Sequence, residues 1–158
     1  MPHVHTALIR WQAGAADFLG KRYSRAHTWT FDGGAVVAGS SSPLVVPLPM
    51  SDASAVDPEE AFVAALSSCH MLWFLDLASR AGIAIASYED AAEGRMGRNA
   101  AGKLVVDVVT LRPRTRVTGA RAPDAAELAA LHHRAHEECF LANSVRCEIR
   151  CEPQMDRA

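Results

Sequence analysis

The chain has 158 residues, with 16 Lys and Arg against 18 Asp and Glu and a formal net charge of −2. Apolar residues make up 49% and charged residues 22%, a globular balance that excludes a disordered chain. The basic residues are scattered, Lys21-Arg22 being the only adjacent pair, so the clustered cationic face that a phosphate backbone requires is missing and no nucleic-acid partner is expected.

The length suits a single domain, residues 1–158, able to bury roughly 70% of the surface its unfolded chain exposes. Met1-Pro2-His3-Val4-His5 lacks the basic and apolar regions of a leader. The longest apolar stretch, within 61–78, is interrupted by Ser67, Ser68, His70 and Asp76 and falls short of roughly 20 clean spanning residues. These features predict a cytoplasmic protein with no membrane partner. In that compartment the four cysteines, 69, 139, 147 and 151, read as core thiols, metal ligands or redox centres, not as a disulfide framework.

In chain order, residues 4–11 and 26–31 are rich in β-branched and aromatic types and predict strands. Asp32-Gly33-Gly34 is a turn, and 35–38 the returning strand. Residues 39–57 carry five serines and three prolines, a long loop of the kind that is functional or lies against a partner. Asp57-Pro58-Glu59-Glu60 starts a helix: an N-cap acceptor, Pro in the first turn, and acids at the positive end of the dipole. The helix should run to about Ala81, with Gly82 as its stop. From Ala61 to Ala78 it is apolar nearly all round. A small domain cannot cover such a helix alone, which predicts a dimer. Residues 83–96 suggest a strand, 97–102 a turn, and 103–111 a strand that extends toward Val117. A second helix over 124–139, striped by Leu128, Leu131, Ala135 and Glu138, and a last strand over 144–151 complete the order β-β-β-α-β-β-α-β. That pattern is α+β and not a βαβ alternation.

Cys69 falls in mid-helix, within Leu66-Ser67-Ser68-Cys69-His70-Met71. It is either a small core hydrophobe or a redox thiol. Ten residues into the helix it gains little from the N-terminal field, so a thiolate there needs a cation. Arg22 and Arg25 are the candidates, each otherwise a solvated strand-edge residue. Cys139, at the end of the second helix, is again either a core thiol or the partner that condenses with a Cys69 sulfenic acid. Glu59 and Glu60 read first as helix-dipole acids. A competing constellation is His132, His136 and Cys139 at i, i+4 and i+7, on one helix face and suited to zinc. Cys147 and Cys151 on one strand face are about 13 Å apart, too far to share an ion.

Two segments resemble the OsmC/Ohr family of hydroperoxide-reducing proteins, and the resemblance runs over 4–152. The first is Asp57-Pro58-Glu59-Glu60-Ala61-Phe62-Val63-Ala64-Ala65-Leu66-Ser67-Ser68-Cys69, similar to the family's Asn-Pro-Glu and Ser-x-Cys segment. The second is Ala135-His136-Glu137-Glu138-Cys139-Phe140-Leu141-Ala142-Asn143-Ser144, similar to its second-cysteine segment. The resemblance implies an intertwined α+β homodimer with long central helices and two active sites at its interface. It implies a thiol peroxidase that reduces organic hydroperoxides to alcohols with a dithiol reductant and neither metal nor organic cofactor. It carries the peroxidatic cysteine onto Cys69, the resolving cysteine onto Cys139 and the active-site glutamate onto Glu59. The activating arginine is Arg25 or Arg22. Arg25 is preferred because it leads directly into the strand Ala26–Phe31. Asp57 in place of Asn, His70 after Cys69, Phe140 after Cys139 and the His132/His133/His136 cluster depart from the usual pattern. The rival readings are a non-catalytic small-molecule or metal-binding protein on the same scaffold, and a structural dimer with incidental cysteines.

Overall fold

The computed structural model describes residues 3–157. Met1 and Pro2, which open the stretch read for a leader, and Ala158 lie outside the described residues. The chain forms two units, Met1–Ala61 and Phe62–Ala158.

In the first unit, β1 (Ala7–Arg10), β2 (His27–Phe31) and β3 (Val36–Gly39) form an antiparallel sheet in that order. Ala7 sits opposite Phe31 and His27 opposite Gly39. The β2–β3 turn closes through Gly34 at φ 85°, a conformation that glycine adopts without steric cost. The serine- and proline-rich stretch after β3 is tied at its base. Ser40 N donates to Val56 O and Val56 N to Ala38 O, each at 3.0 Å. The buried Ser40 hydroxyl accepts from Asp52 N at 3.0 Å. Leu44, Val45 and Leu48 in this loop are left exposed.

The helix α1 (Pro58–Arg80) begins in the first unit and continues through the second. Its start is a reciprocal capping box: Asp57 Oδ1 accepts from Glu60 N at 2.8 Å and Glu60 Oε2 from Asp57 N at 3.1 Å. Its end is a Schellman motif, with Gly82 at φ 71°, Gly82 N donating to Ser79 O and Ile83 N to Ala78 O, both at 2.9 Å. By length and composition α1, with mean hydropathy 1.5 over an 18-residue window, is long and apolar enough to cross a membrane. The interruptions at Ser67, Ser68, His70 and Asp76 do not take it below that mark. One stripe of α1 is buried within the chain, Leu66, His70, Phe74, Leu77 and Ala78. Ala64, Ala65, Ser68 and Leu72 on another face are exposed, so the helix is covered on fewer sides than its composition predicts.

The rest of the second unit is built on three strands, each broken once. The expected strand over 83–96 is β4 (Ala84–Asp90) and β5 (Glu93–Arg98). The strand toward Val117 is β6 (Leu104–Leu111) and β7 (Pro113–Thr118). The last is β8 (Glu148–Cys151), preceded by a 3-10 turn at Ala142–Ser144 and followed by β9 (Gln154–Arg157), which the sequence reading did not foresee. The sheets run β4-β7-β9 and β5-β6-β8, with β4–β7 and β5–β6 antiparallel and β7–β9 and β6–β8 parallel.

The breaks have a chemical cause. Pro113 has no N–H to donate. Arg112 N donates instead to Asp90 Oδ1 at 2.6 Å, and the Arg112 guanidinium reaches Glu93 (3.1 Å) and Glu152 (3.2 Å). The second Asp90 oxygen accepts from Ser67 Oγ of α1 at 2.5 Å.

Two apolar clusters anchor α1. Leu66 packs with Val109 and Leu111 of β6. Phe74, Leu77 and Ala78 pack with Ile83, Val117 and α2 (Ala125–Glu138) through Leu128, Leu131 and Ala135. Gly94 of β5 admits the helix closely: a Cβ there would stand 2.5 Å from Val63 Cγ2. The α2 stripe ends on the buried Cys139 and not on Glu138, which is exposed, and it includes His132.

Candidate active site

Cys69 lies on α1, partly exposed, and opens onto a cleft of about 380 Å³ lined by Leu72, Trp73, Asp76, Arg80 and Phe140. The helical members sit at i+3, i+4, i+7 and i+11 from the cysteine, one stripe of a 3.6-residue helix. Trp73 meets Phe140 edge-on, centroids 5.5 Å apart. Arg80 Nη2 lies 2.9 Å from Asp76 Oδ2 at the far end, three turns from the thiol. The cleft thus has an apolar body and one charged end. Trp73 and Arg80 were not singled out from sequence, although the stripe spacing from Cys69 carries that signal.

Cys139 caps the C-terminal end of α2 in an extended conformation, φ −65° and ψ 113°. The carbonyls left open by the helix end are taken up locally: Asn143 Nδ2 donates to Glu137 O at 2.7 Å and to Cys139 O at 3.0 Å, and Ser144 Oγ to Phe140 O at 2.7 Å. This fixes the turn that presents the thiol. Cys139 is 1% exposed. Burial, and next a hydrogen bond to Cys69, push its thiol up to about 11 from an ordinary 9.0. The two sequence-predicted cysteines are therefore near neighbours, although 70 positions apart in the chain.

Arg25 and Arg22 belong to the first unit. Arg22 is exposed and bound to Asp17 at 2.5 Å. Arg25 is half-buried: its guanidinium lies 3.8 Å over the Tyr23 ring, and Nη1 donates to Tyr23 O at 2.5 Å and Lys21 O at 3.2 Å. Tyr23 stacks on Phe18, and Trp11 meets Tyr23 edge-on and lies tilted against Phe18, an aromatic cluster not foreseen from sequence. Glu59 is half-buried in the first turn of α1. Among the described residues, no ion pair between Arg25 and Glu59 is formed in this conformation. Glu60 serves the capping box.

The zinc constellation expected on one face of α2 does not assemble. Cys139 is engaged with Cys69, and His133, exposed, pairs with Glu137 at 3.3 Å. His132 turns instead toward His70 of α1, with Nδ1 and Nε2 3.0 Å apart, and Cys151 Sγ lies 3.8 Å from the same His70 Nε2. Burial drives both imidazoles toward the neutral form, His70 to about 4 against the favouring charge of Asp90, and His132 to about 3. Burial likewise pushes the Cys151 thiol up to about 12. The sequence separations of 62 and 81 kept this group out of any spacing motif.

A model of the family described as OsmC-like protein matches residues 51–154. An OsmC-like protein of unknown function from Vibrio cholerae shares 48% identity over 96% of this chain and 99% of its own, with TM-score 0.94. Two organic hydroperoxide resistance proteins share the fold. That from Elizabethkingia anophelis has 16% identity over 100% of this chain and 99% of its own, TM-score 0.68. That from Bacillus subtilis has 18% identity over 98% of each chain, TM-score 0.63. No curated protein matches. With two thirds of its length inside the family model and a near-superposable relative at 48% identity, the chain belongs to the OsmC-like family, within the OsmC/Ohr group.

Proposed function

We propose that the protein is a cysteine-based thiol peroxidase that reduces organic hydroperoxides to alcohols, working as a cytoplasmic homodimer in oxidative-stress defence. The observation that carries this reading is that Cys69 opens onto an apolar cleft while the buried Cys139, at the end of α2, lies near enough to Cys69 for the two thiols to influence each other. The Cys69 thiolate attacks the terminal oxygen of the hydroperoxide. The O–O bond breaks, the alkoxide leaves and takes up a proton as the alcohol, and Cys69 becomes a sulfenic acid. Cys139 sulfur then displaces hydroxide, which leaves as water with the Cys139 proton, and a disulfide forms. A dithiol reductant restores both thiols by exchange. Leu72, Trp73 and Phe140 suit the alkyl portion of such a substrate.

Arg25 supplies the cation that holds Cys69 as thiolate, and Glu59 grips the guanidinium with two parallel hydrogen bonds. The Tyr23 ring, over which the Arg25 guanidinium lies at 3.8 Å, steadies that side chain. The reaction needs no metal or organic cofactor, because both redox groups are side chains. The homodimer is supported by the uncovered apolar side chains Leu44, Val45 and Leu48 of the loop and Leu72 of α1.

The test is a thiol titration on the reduced protein before and after one equivalent of an alkyl hydroperoxide. Loss of two thiols per chain, with the disulfide mapped to Cys69–Cys139, is the expected result. An unchanged thiol count would return the chain to a non-catalytic binding protein on this scaffold.

A further inference from the structure

Beneath the Cys69 cleft, α1, α2 and the end of β8 each send one metal-competent donor to a common point in the core. His70 is 1% exposed, His132 2%, and Cys151 half-buried. Their donor atoms all lie within 4.8 Å of one another. The closest separations are 3.0 Å for the two imidazole nitrogens and 3.8 Å for the Cys151 sulfur and His70 Nε2. A tetrahedral zinc ion with bonds of about 2.0–2.1 Å to nitrogen and 2.3 Å to sulfur sets donor separations of about 3.3–3.6 Å. The site meets that requirement after side-chain shifts of up to about 1 Å.

The surroundings argue that these donors serve more than packing. The Phe74 ring lies against His132, centroids 4.1 Å apart, in a part of the core otherwise filled by Leu77, Leu128 and Leu131. Two imidazoles and a thiol in such a place carry a desolvation cost that aliphatic residues would not. A buried polar atom here, Tyr88 Oη, has no hydrogen-bond partner among the described residues, where native cores satisfy nearly all such groups. Asp90 places a negative charge close to both His70 and Cys151, which suits a bound cation.

We propose that His70, His132 and Cys151 bind one divalent transition-metal ion of the zinc class. Two neutral imidazoles and a thiolate are borderline-to-soft donors, which select zinc or cobalt over magnesium and calcium. Binding deprotonates Cys151: the S–H bond is replaced by a sulfur–metal bond and one proton is released to solvent. Three protein ligands leave a fourth position for water, and Tyr88 Oη, packed on the same Phe74 ring, is free to hydrogen-bond it. The site is separate from the Cys69–Cys139 pair, so it stands whether or not the peroxidase reading does.

The test uses the full chain, reduced and stripped by chelator, titrated with cobalt(II) and then zinc(II). The expected result is one cobalt per chain, showing a near-ultraviolet thiolate-to-cobalt charge-transfer band and intense visible bands of tetrahedral cobalt, all lost on adding one equivalent of zinc. A Cys69→Ser/Cys139→Ser double variant should give the same spectrum. Cys151→Ser should lose the charge-transfer band and bind cobalt at least about tenfold more weakly. A folded wild-type protein with no charge-transfer band overturns the proposal, as does a band that survives Cys151→Ser or disappears in the double variant. If Cys151→Ser does not fold, alkylation of Cys151 in the wild type with and without zinc decides: protection supports the site, and equal alkylation overturns it.

Discussion

The imidazoles of His70 and His132 lie in planes only 3° apart, with ring centroids at 5.3 Å and a nitrogen-to-nitrogen hydrogen bond of 3.0 Å. One ring supplies the proton and the other a lone pair, so the pair holds together only while at least one ring is neutral. One residue earlier on α1, Cys69 points about 100° away, into the cleft. The same helix turn thus separates a core face with metal-competent donors from a reactive face with a thiol.

The two cysteines of the cleft should have unequal phenotypes. Cys69→Ser is expected to abolish peroxide consumption. Cys139→Ser should allow about one turnover and leave Cys69 as a sulfenic or overoxidised acid, visible by intact mass. Cys147→Ser should retain turnover; inactivation by that change instead would transfer the chemistry to Cys147.

Arg25 should govern the reactivity of Cys69. Arg25→Ala is expected to slow alkylation of Cys69 at pH 7 by about tenfold or more, a pKa change of about one unit being worth 1.36 kcal/mol. Arg25→Lys should recover part of the rate, because an ammonium keeps the charge and loses the two-pronged grip. Arg22→Ala should change little, since that side chain is exposed and committed to Asp17. The reverse ranking in stopped-flow alkylation would make Arg22 the activating residue.

Cys139 should resist alkylation until strongly alkaline pH. Its folded value, about 11, stands above the ordinary 9.0 of the unfolded chain. Between those values the folded state holds the extra proton. The corresponding stability is therefore complete below about pH 9 and is lost as pH rises toward 11. Alkylation mapped by peptide mass, alongside denaturant melts across pH 8–11, checks both. Rapid Cys139 modification at pH 7.5 in the folded protein would contradict the burial argument.

In solution the chain should have twice its monomer mass of 17.0 kDa at micromolar concentration. The exposed Leu72 of α1 and the exposed Leu44, Val45 and Leu48 of the loop are apolar side chains that a second copy would cover. Light scattering reads this directly, and a monomeric mass would defeat it.

Gly94→Val should destabilise the fold by about 1–3 kcal/mol, the usual range for overpacking, because its Cβ would meet Val63 Cγ2 at 2.5 Å. Val63→Ala in the same chain should recover part of the loss. Additive effects in denaturant melts would show that the helix and strand do not press together there.

What could be read from the sequence follows the range of the interactions. Asp57 and Gly82 marked the ends of α1 because capping is local, and Asp124 does the same for α2, accepting from Glu127 N at 2.8 Å. A pairing of Cys69 with Cys139 is an expectation that resemblance supplies and periodicity does not. The breaks at Arg112 and in the neighbouring strands were missed because their cause lies across the sheet, in Asp90, Glu93 and Glu152. The His132 partner was misplaced onto its own helix because i, i+4 spacing is visible in a sequence, whereas a meeting with His70 and Cys151 depends on how three elements dock.

The seam around Arg112 also sets where this chain tolerates changes in length. All three long strands break at the same level, and Asp90 ties that level to Ser67, two residues before Cys69. An inserted or deleted residue within 84–98, 104–118 or 148–157 would move one break out of line with the other two and detach Arg112 from its carboxylates. The turn at 99–103, whose Asn99 side chain accepts from Ala101 N and Lys103 N, and the segment 119–124 lie outside the seam. Insertions and deletions in relatives that keep the cleft should therefore collect in those two connections.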